Sequence, residues 1–200
     1  MALGLVLAFV YSLIQQPKFE AKASFILEEK SGGMGGGLSG LASQFGFDVG
    51  GSSGGGIFAG ENLLIFLKSE GLIRETLLTP MDSVSKFTLA DRYAEINEFK
   101  KGWSENKLIG DIDFSKFPTG EFPRKEDSLL QVLVGTISKA LSVTRPVKKA
   151  TFVEVKTSTR NELLSKLFTE RLVQKGTERY VQSKIKIKAA NVALLQKRAD

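Results

Sequence analysis

The chain has no cysteine and no histidine among its 200 residues. Without cysteine there is no disulfide framework and no thiolate chemistry. Without histidine the commonest general base and the commonest metal ligand are both missing. Zinc sites of the usual types are excluded, and so are Ser-His-Asp and Cys-His nucleophile systems. Long apolar stretches are lacking too. The uncharged apolar run at the start, Ala2 to Ile14, has thirteen residues, against the roughly 20 that a membrane-spanning helix needs.

What is present suits a folded protein. With 42% hydrophobic and 25% charged residues, a packed core is expected and wholesale disorder is not. The length allows one sizeable domain, or one domain with appendages. The net charge of +6 is unevenly placed: residues 1–144 carry 14 Lys and Arg against 17 Asp and Glu, and residues 145–200 carry 14 against 5. A basic helix can meet nucleic acid or an anionic membrane, but a solvated face is the simpler reading. Phe168 and Tyr180 are the only aromatics in the final stretch and form no stacking platform, so no nucleic-acid partner is expected.

That final stretch, residues 159–200, organises the rest. It contains no proline, and its only glycine is Gly176. Leu163, Leu164, Leu167, Phe168, Leu172 and Val173 recur at helical spacing, and Val181, Ile185, Val192 and Leu195 resume the stripe after Gly176. At 1.5 Å per residue the predicted helix is roughly 60 Å long, more than a compact domain of this size needs. It reads as the ascending arm of a helical hairpin whose return arm is missing. Its partner is expected from that missing part or from another subunit.

At the other end, three readings fit Ala2 to Ile14. A signal peptide lacks its preceding Lys or Arg and its cleavage site. A buried core helix is the second. The third is the C-terminal part of a transmembrane helix over residues 1–16, with Leu3, Leu5, Leu7, Phe9 and Leu13 facing lipid. Polar Gln15 and Gln16 and helix-stopping Pro17 favour it as a membrane exit. Alternation follows at once: Phe19, Ala21, Ala23, Phe25 and Leu27 on one face, Lys18, Glu20, Lys22, Ser24 and Glu28 on the other. This predicts a half-buried strand close to the membrane.

Residues 31–60 hold 13 of the 20 glycines and read as a loop of high mobility with fast amide exchange, because ordering glycine is entropically costly. A helix is predicted over Leu63–Leu78, with Gly71 as a place to break it, and another over Leu89–Trp103. Glu126, Asp127 and Ser128 read as the N-terminus of a helix carrying Leu129 to Leu141. Strands are predicted over Leu141–Pro146 and Thr151–Thr157, joined by a link short enough for an antiparallel hairpin. The fold class is therefore α+β. A small mixed sheet is covered by helices on one face within a base domain over residues 17–158, and a long extended C-terminal helix follows.

Candidate chemistry is thin. Gly35-x-Gly37-x-x-Gly40 formally matches a dinucleotide fingerprint, but it sits where any glycine pattern arises by chance. Asp111-x-Asp113 could bind a divalent metal, yet surface-loop carboxylates are the simpler reading. No catalytic, cofactor-binding or metal residue is expected, and no cofactor.

The order of these segments carries a resemblance. Pro17-Lys18-Phe19-Glu20-Ala21-Lys22-Ala23-Ser24-Phe25-Ile26-Leu27, straight after an apolar helix, resembles the first periplasmic strand of the Wzz-type chain-length determinants, the polysaccharide co-polymerases. That family's exit runs Pro-x-Tyr-x-Ala-x-Ala, and Phe19 stands for the Tyr. Phe66-Leu67-Lys68-Ser69-Glu70-Gly71-Leu72-Ile73 looks like the family's Leu-Lys-Ser-Arg helix, with Glu70 replacing Arg. Leu130 to Val155, followed by a long helix, looks like its helix, strand pair and arm. The Asp-Pro often found where the arm begins is Arg160-Asn161 here.

The resemblance implies a bacterial inner-membrane protein whose bulk is periplasmic and whose protomers form a homo-oligomeric ring. It implies control of the chain length of O-antigen, capsule or exopolysaccharide beside a membrane polysaccharide polymerase, with the nascent glycan as a further partner and no catalysis of its own. Lys184 and Lys186 on the long helix, and Asp91, Glu95 and Glu98 on the acid-rich helix Asp91–Glu98 of an adjacent protomer, are the candidate oligomer contacts. Two other classes compete. A periplasmic adaptor of an envelope export machine predicts a lipoyl-like all-β module beyond the hairpin. A glycan enzyme predicts converging carboxylates in a pocket.

Overall fold

The computed structural model describes residues 17–26, 61–82, 84, 87–117, 121–146 and 152–199. The elements in chain order are β1 (Phe19–Ile26), α1 (Glu61–Leu67), α2 (Glu70–Leu77), α3 (Leu89–Ile96), α4 (Phe99–Glu105), a 3-10 turn (Phe114–Lys116), α5 (Arg124–Ala140), β2 (Leu141–Thr144), β3 (Phe152–Thr159) and α6 (Glu162–Ala199). The class is α+β, as the order of segments predicts. The glycine-rich tract 31–60 and the apolar run before Pro17 lie outside the described residues.

The sheet differs from the expected mixed one. It is antiparallel throughout, in the order β1-β3-β2. A short link forces β2 and β3 into a hairpin, and β1 takes the free edge of β3 rather than that of β2. The register Phe19↔Thr159 places the start of β1 beside the start of α6. There Ser165 Oγ donates to Phe19 O at 2.7 Å and accepts from Thr159 N at 3.0 Å.

Period-2 alternation decides which face is buried. Val153, Val155, Thr157 and Thr159 of β3, with Leu141 and Val143 of β2, turn to the helices and are buried. Glu20, Lys22, Ser24, Glu154, Lys156 and Ser158 fall on the other face. On β1 the helix side is only half-covered at Ala21, Ala23 and Phe25, and Phe19 stays 39% exposed. An edge strand has a neighbour on one side only, so its burial is incomplete.

α6 lies along β1 and β3 and against α2, while α5 packs on α2, β2 and β3. The core joins Leu164, Phe168 and Leu172 of α6 with Leu72, Ile73 and Leu77 of α2 and Leu130, Leu133, Val134 and Ile137 of α5.

Three helix boundaries differ from the periodicity. The first predicted helix breaks at Lys68–Ser69, not at Gly71, which sits inside α2. The second breaks after Asn97, whose side-chain amide donates to Tyr93 O at 2.9 Å and ends α3. Glu98 then takes the left-handed conformation, φ 61°, that starts α4. α5 begins two residues early, at Arg124 behind Pro123. Glu126 and Asp127 are thereby in its first turn, where their charge still suits the helix dipole.

Candidate functional site

Steric and polar contacts come together at the root of α6. Leu164, Phe168, Leu172 and Gly176 are spaced four apart and form one buried row. A Cβ built on Gly176 stands 2.5 Å from Leu67 Cδ2 of α1. The glycine therefore permits a close helix–helix approach. One turn away, Arg171 donates to Thr79 Oγ1 at 2.9 Å, to Met81 O at 3.0 Å and to Pro80 O, tying down the chain after α2. Glu75 of α2 accepts from Lys175 Nζ at 3.0 Å and from Arg179. Burial pushes the Glu75 carboxyl upward, but these two cations outweigh it and hold it below the ordinary carboxylate value. The α1–α2 pair is thus fastened to α6 by one steric seat and two polar clamps.

Beyond that root the apolar stripe changes sides, which corrects the expectation that it resumes. Val181 and Ile185 are 47% and 62% exposed. They follow Leu172 by nine and thirteen residues, which at 100° per residue is about 180° and 220° around the helix. They therefore face away from the base that Leu172 packs on. The offset follows from the residue spacing itself, so the sequence carried this signal.

A cleft of about 490 Å³ opens between the end of β1, α1 and α6, lined by Phe25, Ile26, Leu63, Leu67, Thr177 and Tyr180 with Gly176. Its lining has no ionisable group other than the Tyr180 phenol. It suits apolar contact and offers no acid–base pair.

The predicted contact residues scatter. Asp91 is a correction: it is fully buried. Its Oδ2 accepts from Thr88 Oγ1 at 2.7 Å and Thr88 N at 3.3 Å. Its Oδ1 accepts from Phe114 N at 3.1 Å and pairs with Lys100 Nζ at 2.8 Å. A carboxylate so engaged holds the α3 capping box and the 3-10 turn together and is shut away from any neighbour. The spacing Thr88-x-x-Asp91 carried that signal. Glu95 and Glu98 are exposed, Glu95 paired with Arg92 at 2.7 Å. Arg92, Lys100 and Lys101 balance the acids here, so α3 presents no net acidic face. Lys186 is exposed, and the side chain of Lys184 lies outside the described set, as do Leu3, Leu5, Leu7, Phe9 and Leu13. The glycine motif at Gly35–Gly40 lies outside it too.

Asp113 turns back on its own loop, Oδ1 accepting from Ser115 Oγ at 2.7 Å and Ser115 N at 3.0 Å. Among the described residues no group of three His, Cys, Asp or Glu could hold a metal ion, and no helix is long and apolar enough to cross a membrane. Comparison with protein-family models, with curated proteins and with solved structures gave no match.

Proposed function

We propose that this chain is the membrane-proximal part of a polysaccharide co-polymerase: a non-catalytic regulator of O-antigen, capsule or exopolysaccharide chain length. In this reading it is tethered in the bacterial inner membrane with its bulk in the periplasm. It assembles as a homo-oligomeric ring and acts beside the membrane polysaccharide polymerase, with the growing glycan passing close to it.

One observation carries the reading. The strand that follows the apolar run pairs with the strand that leads into the 38-residue α6. Tether and arm therefore meet at one point, where Ser165 bonds Phe19 O. Such a joint fixes the direction of a long helix relative to an anchor. Such a fixed direction suits a protein whose arm must stand at a set angle to its anchor. Among the described residues the lining of the cleft beside it has no paired carboxylates, so the cleft lends the glycan-enzyme alternative no support.

The test is replacement. A host whose own chain-length determinant is deleted receives the complete gene from which this chain derives. The reading expects its envelope polysaccharide to regain a clustered length. A host that regains only export, with lengths still scattered, favours the adaptor class.

A further inference from the structure

We propose that the cleft between β1, α1 and α6 is the seat of the chain's own segment Leu38–Phe47, with Leu38, Leu41 and Phe45 as the side chains that enter it. Neither the cleft nor this occupant depends on the polysaccharide reading.

The cleft is where that part of the chain has to begin and end. Ile26, the last residue of β1, and Leu63, in the first turn of α1, both line it. The 34 residues between β1 and α1 therefore leave from one wall of the cleft and return to another. The space is about 490 Å³, and its walls are mostly apolar. Ile26 on its rim is 64% exposed, an aliphatic side chain that gains by being covered.

The connecting sequence divides into three. Residues 27–37 and 50–60, eleven each, hold five and six glycines. Between them lies an apolar island, Leu38–Val49, with Leu38, Leu41, Ala42, Phe45, Phe47 and Val49. Leu38, Leu41 and Phe45 fall at i, i+3 and i+7, the spacing by which an amphipathic segment enters an apolar groove. A glycine-rich tether of this length has a typical reach of about 18 Å, and both tethers start at the cleft itself. Such tethers present the island at an effective concentration on the order of millimolar. The glycine runs need not be ordered, so the entropic cost falls on the island alone. A partner arriving from solution has neither advantage.

Charge points the same way. Residues 27–60 carry Glu28, Glu29 and Asp48 against Lys30 alone. Positions 184 and 188 follow Tyr180 by four and eight residues and so share the cleft's side of α6; both are lysine. An acidic segment thus meets a basic stretch of helix. Seated there, the island buttresses α6 where Tyr180 passes Ile26 and the helix leaves the sheet.

The absence of cysteine makes the test clean. In the full chain in detergent micelles, Thr177→Cys on the exposed rim of the cleft is combined with Gln44→Cys in one protein and with Ser53→Cys in another. Mild oxidation is expected to close the 44–177 pair within one chain, several-fold faster than the 53–177 pair. Residue 53 is nearer its anchor at Glu61, so tethering alone predicts the opposite order. Amide exchange then reads the island without any cysteine. Residues 38–47 are expected to exchange several-fold more slowly than the glycine runs on either side. Thr177→Glu should remove that difference with the helical content unchanged. Equal closure of the two pairs, or exchange as fast at 38–47 as in the glycine runs, overturns the docking. A disulfide that forms between chains assigns the cleft to a second copy and overturns it as well.

Discussion

Leu67 and Gly176 are in such close contact that a single added methyl group at residue 176 would overlap the leucine, at 2.5 Å from its Cδ2. Leu67 is 1% exposed and borders the cleft beside Gly176, so relief requires its Cδ2 to leave its present packing and turn towards that cleft. Helix propensity favours Gly176→Ala by about 1 kcal/mol, while overpacking a filled contact costs about 1–3 kcal/mol. The steric term wins, and the variant is expected to lose about 1 kcal/mol in urea unfolding. Adding Leu67→Ala should make the pair less destabilised than the sum of the single changes. Strict additivity would show that the two helices do not meet there.

Asp91 is expected to behave as a structural residue. Asp91→Ala strands the buried Phe114 N–H and removes the carboxylate half of the α3 capping box and the Lys100 pair, at a cost of about 3 kcal/mol. Glu95→Ala, on the exposed side of the same helix, should change stability by less than about 0.5 kcal/mol. Thermal unfolding of the two variants side by side checks this. Equal melting temperatures would contradict the burial of Asp91.

How far the sequence shows the fold depends on the range of the forces involved. The strands, α5 and the long helix follow from periodicity, because a local pattern and a local hydrogen-bond geometry coincide there. The break at Lys68–Ser69 has no glycine or proline to mark it, whereas the turn at Glu98 follows a local stop, the Asn97 amide on Tyr93 O. Asp91 looked like surface charge because its partners, Phe114 and Lys100, arrive through tertiary contact. The side switch on α6 is legible in the sequence, because the offset of Val181 and Ile185 from Leu172 follows from their spacing. The role of Gly176 depends on Leu67, which is 109 residues away in the chain.

Thr157 offers a stabilising change. Its Oγ1 is buried without a hydrogen-bond partner, and the residue is 0% exposed at the centre of β3. Thr157→Val keeps the shape, removes the unpaired hydroxyl and suits a strand, so a gain of about 1 kcal/mol is expected. The denaturant midpoint should rise with an unchanged slope. A fall would mean that the hydroxyl is paired after all.

Two of the perturbed groups act at opposite ends of the pH range. Burial raises the Tyr93 phenol from 10.0 to about 12, partly opposed by Arg160. Its contribution to stability is therefore complete below pH 10.0 and lost as pH climbs towards about 12. Tyr93→Phe should remove that part of the alkaline loss. Glu75 has the opposite sign. Its folded value lies below 4.5, so its contribution is present above that pH and disappears as pH falls through the folded value. Melting temperatures across the acid range should fall less steeply in Glu75→Gln than in the parent protein. Parallel acid limbs would show that Lys175 and Arg179 do not hold the carboxylate.

The central claim is that this fold regulates polymer length without chemistry of its own. The most direct measurement is the distribution of repeat numbers on the envelope polysaccharide, resolved by gel electrophoresis. It is compared at matched polymerase levels in cells with and without the complete protein. The account predicts a clustered mode with the protein and a broad, short-weighted spread without it. Identical distributions, with the protein present in the membrane at normal abundance, would contradict it.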